Sequence, residues 1–173
     1  MTASRSTGHE SDQALVTAYR GGNEQAAGEL VQRHGVALGR YLYSSGAPAG
    51  EIDDLVQETF FRAFRALDTW RGDAAFRSWL FRIGGNLRKD LYRREGGRQV
   101  VSIVETDAVD HADPEGQVIA HDQAARIRVG ITRLPRLQRE VFLLRVQEGL
   151  PYDEIACNLG TTPGAARVHY HHA

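Results

Sequence analysis

Between Ile52 and Leu67 the side chains Ile52, Leu55, Val56, Thr59, Phe60, Ala63 and Leu67 recur every third or fourth residue, the spacing of a helix that buries one face. The same period runs through most of the chain, and more than any other feature it restricts the fold: the class is all-α. In "SDQALVTAYRGG" Ser11 and Asp12 read as a cap and Gly21-Gly22 as a stop. Asn23 then caps a second helix carrying Leu30, Val31, His34, Leu38, Tyr41 and Leu42. Pro48 starts the third, "RGD" at Arg71 to Asp73 is a turn, and "FRSWLFRIGGNLRKDLYRR" from Phe76 to Arg94 is the fourth. Beyond Gly96-Gly97 the period fades through Val100 to Pro114, a stretch of about twenty residues, longer than a compact domain usually tolerates. Helical spacing resumes near Glu115 and breaks at Leu134-Pro135. The sequence therefore predicts two small helical domains, 8–96 and 115–173, joined by a flexible acidic linker, 97–114, with a helix-turn-helix in the second.

Charge is sorted along the chain in a way that the net value of −1 conceals. Arg77, Arg82, Arg88, Lys89, Arg93, Arg94 and Arg98 meet only Asp90 and Glu95, whereas Glu105, Asp107, Asp110, Asp113, Glu115 and Asp122 form a run without Lys or Arg. A basic face beside an acidic tether points to a polyanion site next to a segment that avoids or mimics polyanions. The basic stretch also threads Phe76, Trp79, Phe81 and Tyr92 among its cations, where an ordinary surface helix would separate the two kinds of residue. A protein that holds a strand after its bases leave the stack needs cations for phosphate and flat apolar surfaces for bases. Interleaving suits single-stranded DNA. Trp79 reads equally well as core, and Leu80 and Phe81 read as core.

Other classes are excluded or weakened. No apolar run approaches the ~20 residues that span a bilayer, and "MTASRSTGHESDQ" has no apolar signal segment, so the expected location is cytoplasmic. Cys157 is the single cysteine; it excludes a disulfide framework or a cysteine-rich zinc site and is expected to be a small buried residue. Asp53, Asp54 and Glu58 have no His or Cys at helical spacing, and neither a glycine-rich phosphate loop nor a nucleophile motif occurs. No catalytic residue, metal or cofactor is assigned. His169, His171 and His172 lack a carboxylate or cysteine partner and are not read as a metal site.

The C-terminal "PYDEIACNLGTTPGAARVHYHHA" has a specific geometry. A helix from about Tyr152 to Leu159, a turn at Gly160 to Thr162 and a helix from Pro163 fit a helix-turn-helix, with Ala156 at the crossing, Gly160 in the left-handed turn position and Ala166 filling the interior. The second helix would lie in a major groove, with Arg167 and His169 toward bases or phosphates.

Over nearly its whole length the chain resembles the extracytoplasmic-function sigma factors, the two-domain promoter-recognition subunits of bacterial RNA polymerase. The resemblance rests on "DDLVQETFFRAFRAL" (Asp53 to Leu67), "WRGDAAFRSWLFRIGGNLRKDLYRR" (Trp70 to Arg94) and "LPRLQREVFLLRVQEGLPYDEIACNLG" (Leu134 to Gly160). It implies a function, binding core polymerase and directing promoter recognition and transcription initiation, and it implies roles. Asp53, Asp54, Gln57 and Glu58 would dock on the clamp helices of the largest polymerase subunit. Phe76, Trp79, Arg82, Asn86, Lys89, Arg93 and Arg94 would melt and read the −10 element, with Asn86 lining the pocket for a flipped base. Thr162, Arg167, His169 and His172 would bind the −35 element. The implied partners are core RNA polymerase, promoter DNA and an anti-sigma factor. The competing class is a stand-alone helix-turn-helix regulator with an N-terminal sensor domain, which would have no need of the acidic helix "DDLVQETF".

The chain departs from the family pattern in places. Gly84-Gly85 stand where the family has Ala and a larger residue, and two glycines inside a helix, each costing about 1 kcal/mol relative to Ala, predict a locally loose segment beside the base pocket. Ala165-Ala166 replace Thr-Val, and His169 stands where Arg is common. Family members continue past Ala173 with basic residues; the recognition helix is expected to fray here and to bind the −35 element weakly without polymerase, more tightly below about pH 6.5 as its histidines gain charge.

Overall fold

The structure, a computed structural model of the chain, describes residues 3–94, 126, 127 and 129–173, with side chains from residue 11 onward. Among these residues regular structure is entirely helical: α1 (Ala3–Arg20), α2 (Glu24–Ser44), α3 (Ile52–Arg65) and α4 (Phe76–Arg94), then α5 (Arg136–Val146), α6 (Tyr152–Leu159) and α7 (Pro163–His171). The all-α expectation is met. The linker expected at 97–114 and the domain edges beside it lie outside the described residues. No described helix is long and apolar enough to cross a membrane.

Local chemistry sets the helix boundaries. Asn23 Oδ1 accepts from the Gln25 N–H at 3.1 Å and starts α2, after a turn in which Gly22 takes φ 93°. The Ser11/Asp12 cap is not formed, because α1 begins earlier and Asp12 lies inside it. Asp12 is instead buried against α2, accepting from His34 Nε2 at 2.9 Å and Arg33 Nη1 at 2.8 Å. Burial pushes its carboxyl up, but the hydrogen bonds and charges of His34 and Arg33 outweigh that and leave it below the ordinary carboxylate range. Arg20 Nη2 reaches across to the carbonyls of Leu67 and Trp70, at 2.5 and 2.9 Å, tying the turn between α3 and α4 back to α1.

The first four helices pack around Val16, Leu30, Leu38, Tyr41, Leu42, Phe60, Ala63, Phe76 and Leu80. The stripe predicted on α3 is the one that packs: Leu55, Thr59, Phe60 and Ala63 are buried, and Ile52 and Val56 lie against them. Val31, predicted with the α2 stripe, falls at its edge and is exposed.

Gly84 and Gly85 do not loosen α4. A Cβ on Gly84 would sit 3.0 Å from Leu38 Cδ1 and 3.2 Å from Thr59 Oγ1, and one on Gly85 would sit 3.3 Å from the Tyr41 hydroxyl. Their missing side chains let α4 lie directly on α2 and α3, so packing outweighs the propensity cost that suggested slack.

In the second half α5, α6 and α7 close around Val141, Leu143, Leu144, Ile155 and Ala166. The helix-turn-helix is formed where the sequence indicated. Gly160 ends α6 at φ 67° and ψ 41°, and Thr162 Oγ1 accepts from the Ala165 N–H at 3.1 Å to start α7. Ala156 and Ala166 are buried at the crossing. Arg139 donates to the carbonyls of Ile131, Thr132 and Leu134, holding the break before Pro135 against α5.

The two halves touch. Helix α4 packs on α6, and α2 on α5. At this contact Arg88 Nη2 donates to Glu140 Oε1 at 2.5 Å, with both side chains almost fully buried. Cys157, expected in the core, is exposed instead, because α6 turns Ile155, Ala156 and Asn158 inward and leaves Cys157 off that stripe.

Candidate docking and nucleic-acid surfaces

Helix α3 presents one continuous outward face. Asp53, Asp54 and Gln57 are exposed and Glu58 is half exposed, with Glu58 Oε1 accepting from Arg62 Nε at 2.7 Å one turn on. Asp53 and Asp54 occupy the first turn, where the helix dipole favours carboxylates. The face continues into Phe61, 55% exposed, with the Arg65 guanidinium 5.5 Å over its ring. Phe61 was missed from sequence. The available signal was the pair Phe60-Phe61: adjacent residues on a helix cannot both face the core.

Helix α4 divides into two sides. Arg82, Asn86, Lys89 and Arg93 share a stripe at helical spacing; Asn86, Arg93 and Arg94 are exposed and Arg82 and Lys89 partly so. Arg93 pairs only loosely with Asp90, at 3.5 Å. Burial is the main cause holding the Lys89 amine below its ordinary range, partly offset by Glu140. The aromatics stand elsewhere. Phe76 is fully buried and Trp79 is 8% exposed, with Phe76 centred 5.8 Å from the rings of His34 and Trp70 and 5.9 Å from Trp79.

Phe76 and Trp79 therefore offer no open ring face to a base, and their predicted place on that surface is corrected. The physical reason is that α4 is covered from two directions. Helices α2 and α3 take its apolar residues, and the second half pairs with Arg77 and Arg88, so these rings and these two cations alternate along α4 because they meet different neighbours.

On α7 the outward stripe is Gly164, Arg167, Val168 and His171, with His172 exposed at the end and His169 only half exposed. Arg167 lies 5.1 Å over the Tyr152 ring, which carries Arg145 at 4.7 Å, so the cation is held by a ring fixed on α6. Thr162 spends its hydroxyl oxygen on the cap. Val168 was missed, and His171 was named among the terminal histidines but not among the −35 contacts, although counting in threes and fours from the buried Ala166 separates both from its face. No cluster of three or more His, Cys, Asp or Glu able to hold a metal occurs among the described residues.

Comparison with known proteins gives the family. The family described as Sigma-70 region 2 matches residues 30–98 and Sigma-70 region 4 matches residues 124–173. The RNA polymerase sigma factor CnrH of Cupriavidus metallidurans is 39% identical over 160 residues, covering 87% of this chain and 84% of that protein. The ECF RNA polymerase sigma-E factor of Escherichia coli is 34% identical over 168 residues, covering 90% and 86%. Among solved structures, CnrH in complex with the cytosolic domain of CnrY superposes with a TM-score of 0.69 at 34% identity, covering 94% of this chain and 92% of that one. The sigma factor RpoE in complex with the anti-sigma factor NepR from Bartonella quintana shares the fold, with a TM-score of 0.69 at 20% identity over 83% of this chain and 89% of that one.

A region 2 bundle followed by a region 4 helix-turn-helix defines a transcription initiation factor of the sigma-70 class. The chain belongs to the extracytoplasmic-function family of RNA polymerase sigma factors. The alternative of a stand-alone regulator is not favoured, because its first half matches region 2 and not a sensor.

Proposed function

We propose that this sigma factor divides its work by surface, with boundaries at 8–96, 97–114 and 115–173. The α3 face of Asp53, Asp54, Gln57 and Glu58, extended by Phe61, docks on core polymerase. The stripe Arg82, Asn86, Lys89 and Arg93, with Arg94, carries the −10 strand: the cations take phosphates and Asn86 reads a base. Phe76 and Trp79 act behind this surface, as the packing that fixes it. In the second half, Arg167, His169 and His172 reach the −35 element while Thr162 sets the angle of α7 as its cap. The chain works in the cytoplasm and is not an enzyme. Its further partner is an anti-sigma factor, supported by its likeness to the complexes of CnrH with CnrY and of RpoE with NepR.

One observation carries the docking assignment. The helix exposes carboxylates in its first turn and a phenylalanine two turns beyond them, on a scaffold whose opposite face is packed. Charge gives on-rate and register, and the buried aromatic gives affinity. Asp54→Arg with Glu58→Arg should abolish co-purification with core polymerase while leaving the thermal unfolding midpoint nearly unchanged, since neither side chain supports the core. Stoichiometric recovery of the double variant with core would remove α3 from the docking role.

A further inference from the structure

The outward face of α7 is not polar throughout. Val168 stands in the middle of it, 53% exposed, with Gly164 one turn before and His171 one turn after. A helical side chain leans back toward the turn that precedes its own Cα, here the turn of Gly164, where a Cβ would meet nothing within 4 Å. This part of the face therefore carries little bulk: bare backbone and one short apolar group. The long cation beside them, Arg167, is held over the Tyr152 ring, 5.1 Å from its centroid.

The packing of the second half does not account for Val168. Ala166 fills the crossing, and Tyr170 stacks on Phe142 with ring centroids 6.3 Å apart. Among the described residues, Val168 belongs neither to the apolar core nor to the side chains packed against it. Ordering it on a partner costs little, because a β-branched side chain on a helix already keeps largely to one rotamer. A short, stiff hydrocarbon group is thus presented on the face assigned to the major groove. Base pairs there display hydrogen-bonding groups of every kind but a single apolar one, the C5 methyl of thymine. A valine has no donor or acceptor with which to read the others.

We propose that Val168 is a specificity-determining residue that reads one thymine of the −35 element through its C5 methyl group, with Gly164 letting the helix backbone come close enough for so short a side chain to reach the base. This role rests on the assignment of α7 to the −35 element. Val168 adds selectivity without charge. A thymine buries its methyl group against the valine, whereas a cytosine in its place presents an amino group that the valine leaves unpaired.

The test uses holoenzyme assembled from core polymerase and the full chain. Promoter duplexes with a randomised −35 element are selected by that holoenzyme, and each thymine of the recovered element, on either strand, is replaced in turn by deoxyuridine, which removes only the C5 methyl group. One replacement should weaken holoenzyme binding by about fourfold, the worth of one buried methyl group. With Val168→Ala and with Val168→Ser, thymine and deoxyuridine at that position should bind equally. Val146→Ala removes a valine of the same exposure from the end of α5 and should keep the fourfold preference. A pool that yields no preferred element, an element recovered without an A·T pair, indifference of the wild-type chain to every deoxyuridine, or a methyl preference that survives in both Val168 variants overturns the reading by valine. Arg167→Ala separates that failure from failure of the underlying assignment: if this variant selects the same element and binds it as tightly as the wild-type chain, it is the placement of α7 on the −35 element that has failed.

Discussion

Gly84 shows how one missing methyl group can organise an interface. The neighbours a Cβ would meet are not free to move: Leu38 is fully buried, and Thr59 Oγ1 is held by its 2.6 Å hydrogen bond to the Leu55 carbonyl. Gly28 on α2 is the contrasting case, with nothing within 4 Å of its would-be Cβ. Alanine at both sites gains helix propensity, about 0.5–1 kcal/mol, so the signs should differ. We expect Gly28→Ala to raise the thermal unfolding midpoint and Gly84→Ala to lower it, because overpacking a fixed core costs about 1–3 kcal/mol. A higher midpoint for Gly84→Ala would mean that α4 has slack against α2 and α3. From sequence the two glycines could be seen but not told apart, since the atoms that distinguish them come from other helices.

Among the elements, α4 carries the most roles. Its stripe of Arg82, Asn86, Lys89 and Arg93 follows from helical spacing alone, and the structure leaves Asn86, Arg93 and Arg94 open to solvent. Phosphate contacts position a strand without reading it, whereas a side-chain amide can distinguish bases. Replacing Arg93 and Arg94 by Ala should weaken holoenzyme binding to matched and mismatched promoters alike and flatten the dependence on log salt by roughly 0.7–0.9 for each phosphate left without its cation. Asn86→Ala should instead reduce strand opening at the matched −10 sequence by roughly tenfold, the worth of one hydrogen bond, with little effect at a mismatched one. Permanganate reactivity of unpaired thymines measures both, and equal losses on the two templates would take Asn86 out of base reading.

At the scale of the whole molecule, the two halves are coupled through a buried charge pair rather than through apolar contact alone. Removing one partner strands the other in a site from which water is excluded. Arg88→Met or Glu140→Leu alone should each cost about 3–5 kcal/mol in denaturant unfolding, and the double replacement should recover most of it, as apolar substitutes for buried ion pairs often do. Arg136, which shares Glu140, is half exposed and can turn to solvent in the double variant. Additive losses in the double variant would show that the pair is not what joins the halves.

Much of the fold was legible before any coordinates. Helical spacing located α2, α3, α4 and the helix-turn-helix, and local chemistry marked their ends at Asn23, Gly160 and Thr162, because period and capping depend on residues within a turn or two of each other. The acidic face of α3 and the cationic stripe of α4 were legible for the same reason. What only the tertiary structure decided is which partner each remaining residue meets. Asp12 became the buried partner of His34, Phe76 and Trp79 went inward, Cys157 stayed outside, and Arg77 and Arg88 were taken by Glu148 and Glu140. The Arg88–Glu140 pair joins residues 52 apart in sequence. Whether a residue type that can serve as surface, core or ion pair does one or the other depends on what the chain folds against it, and pairings at that separation leave no local trace.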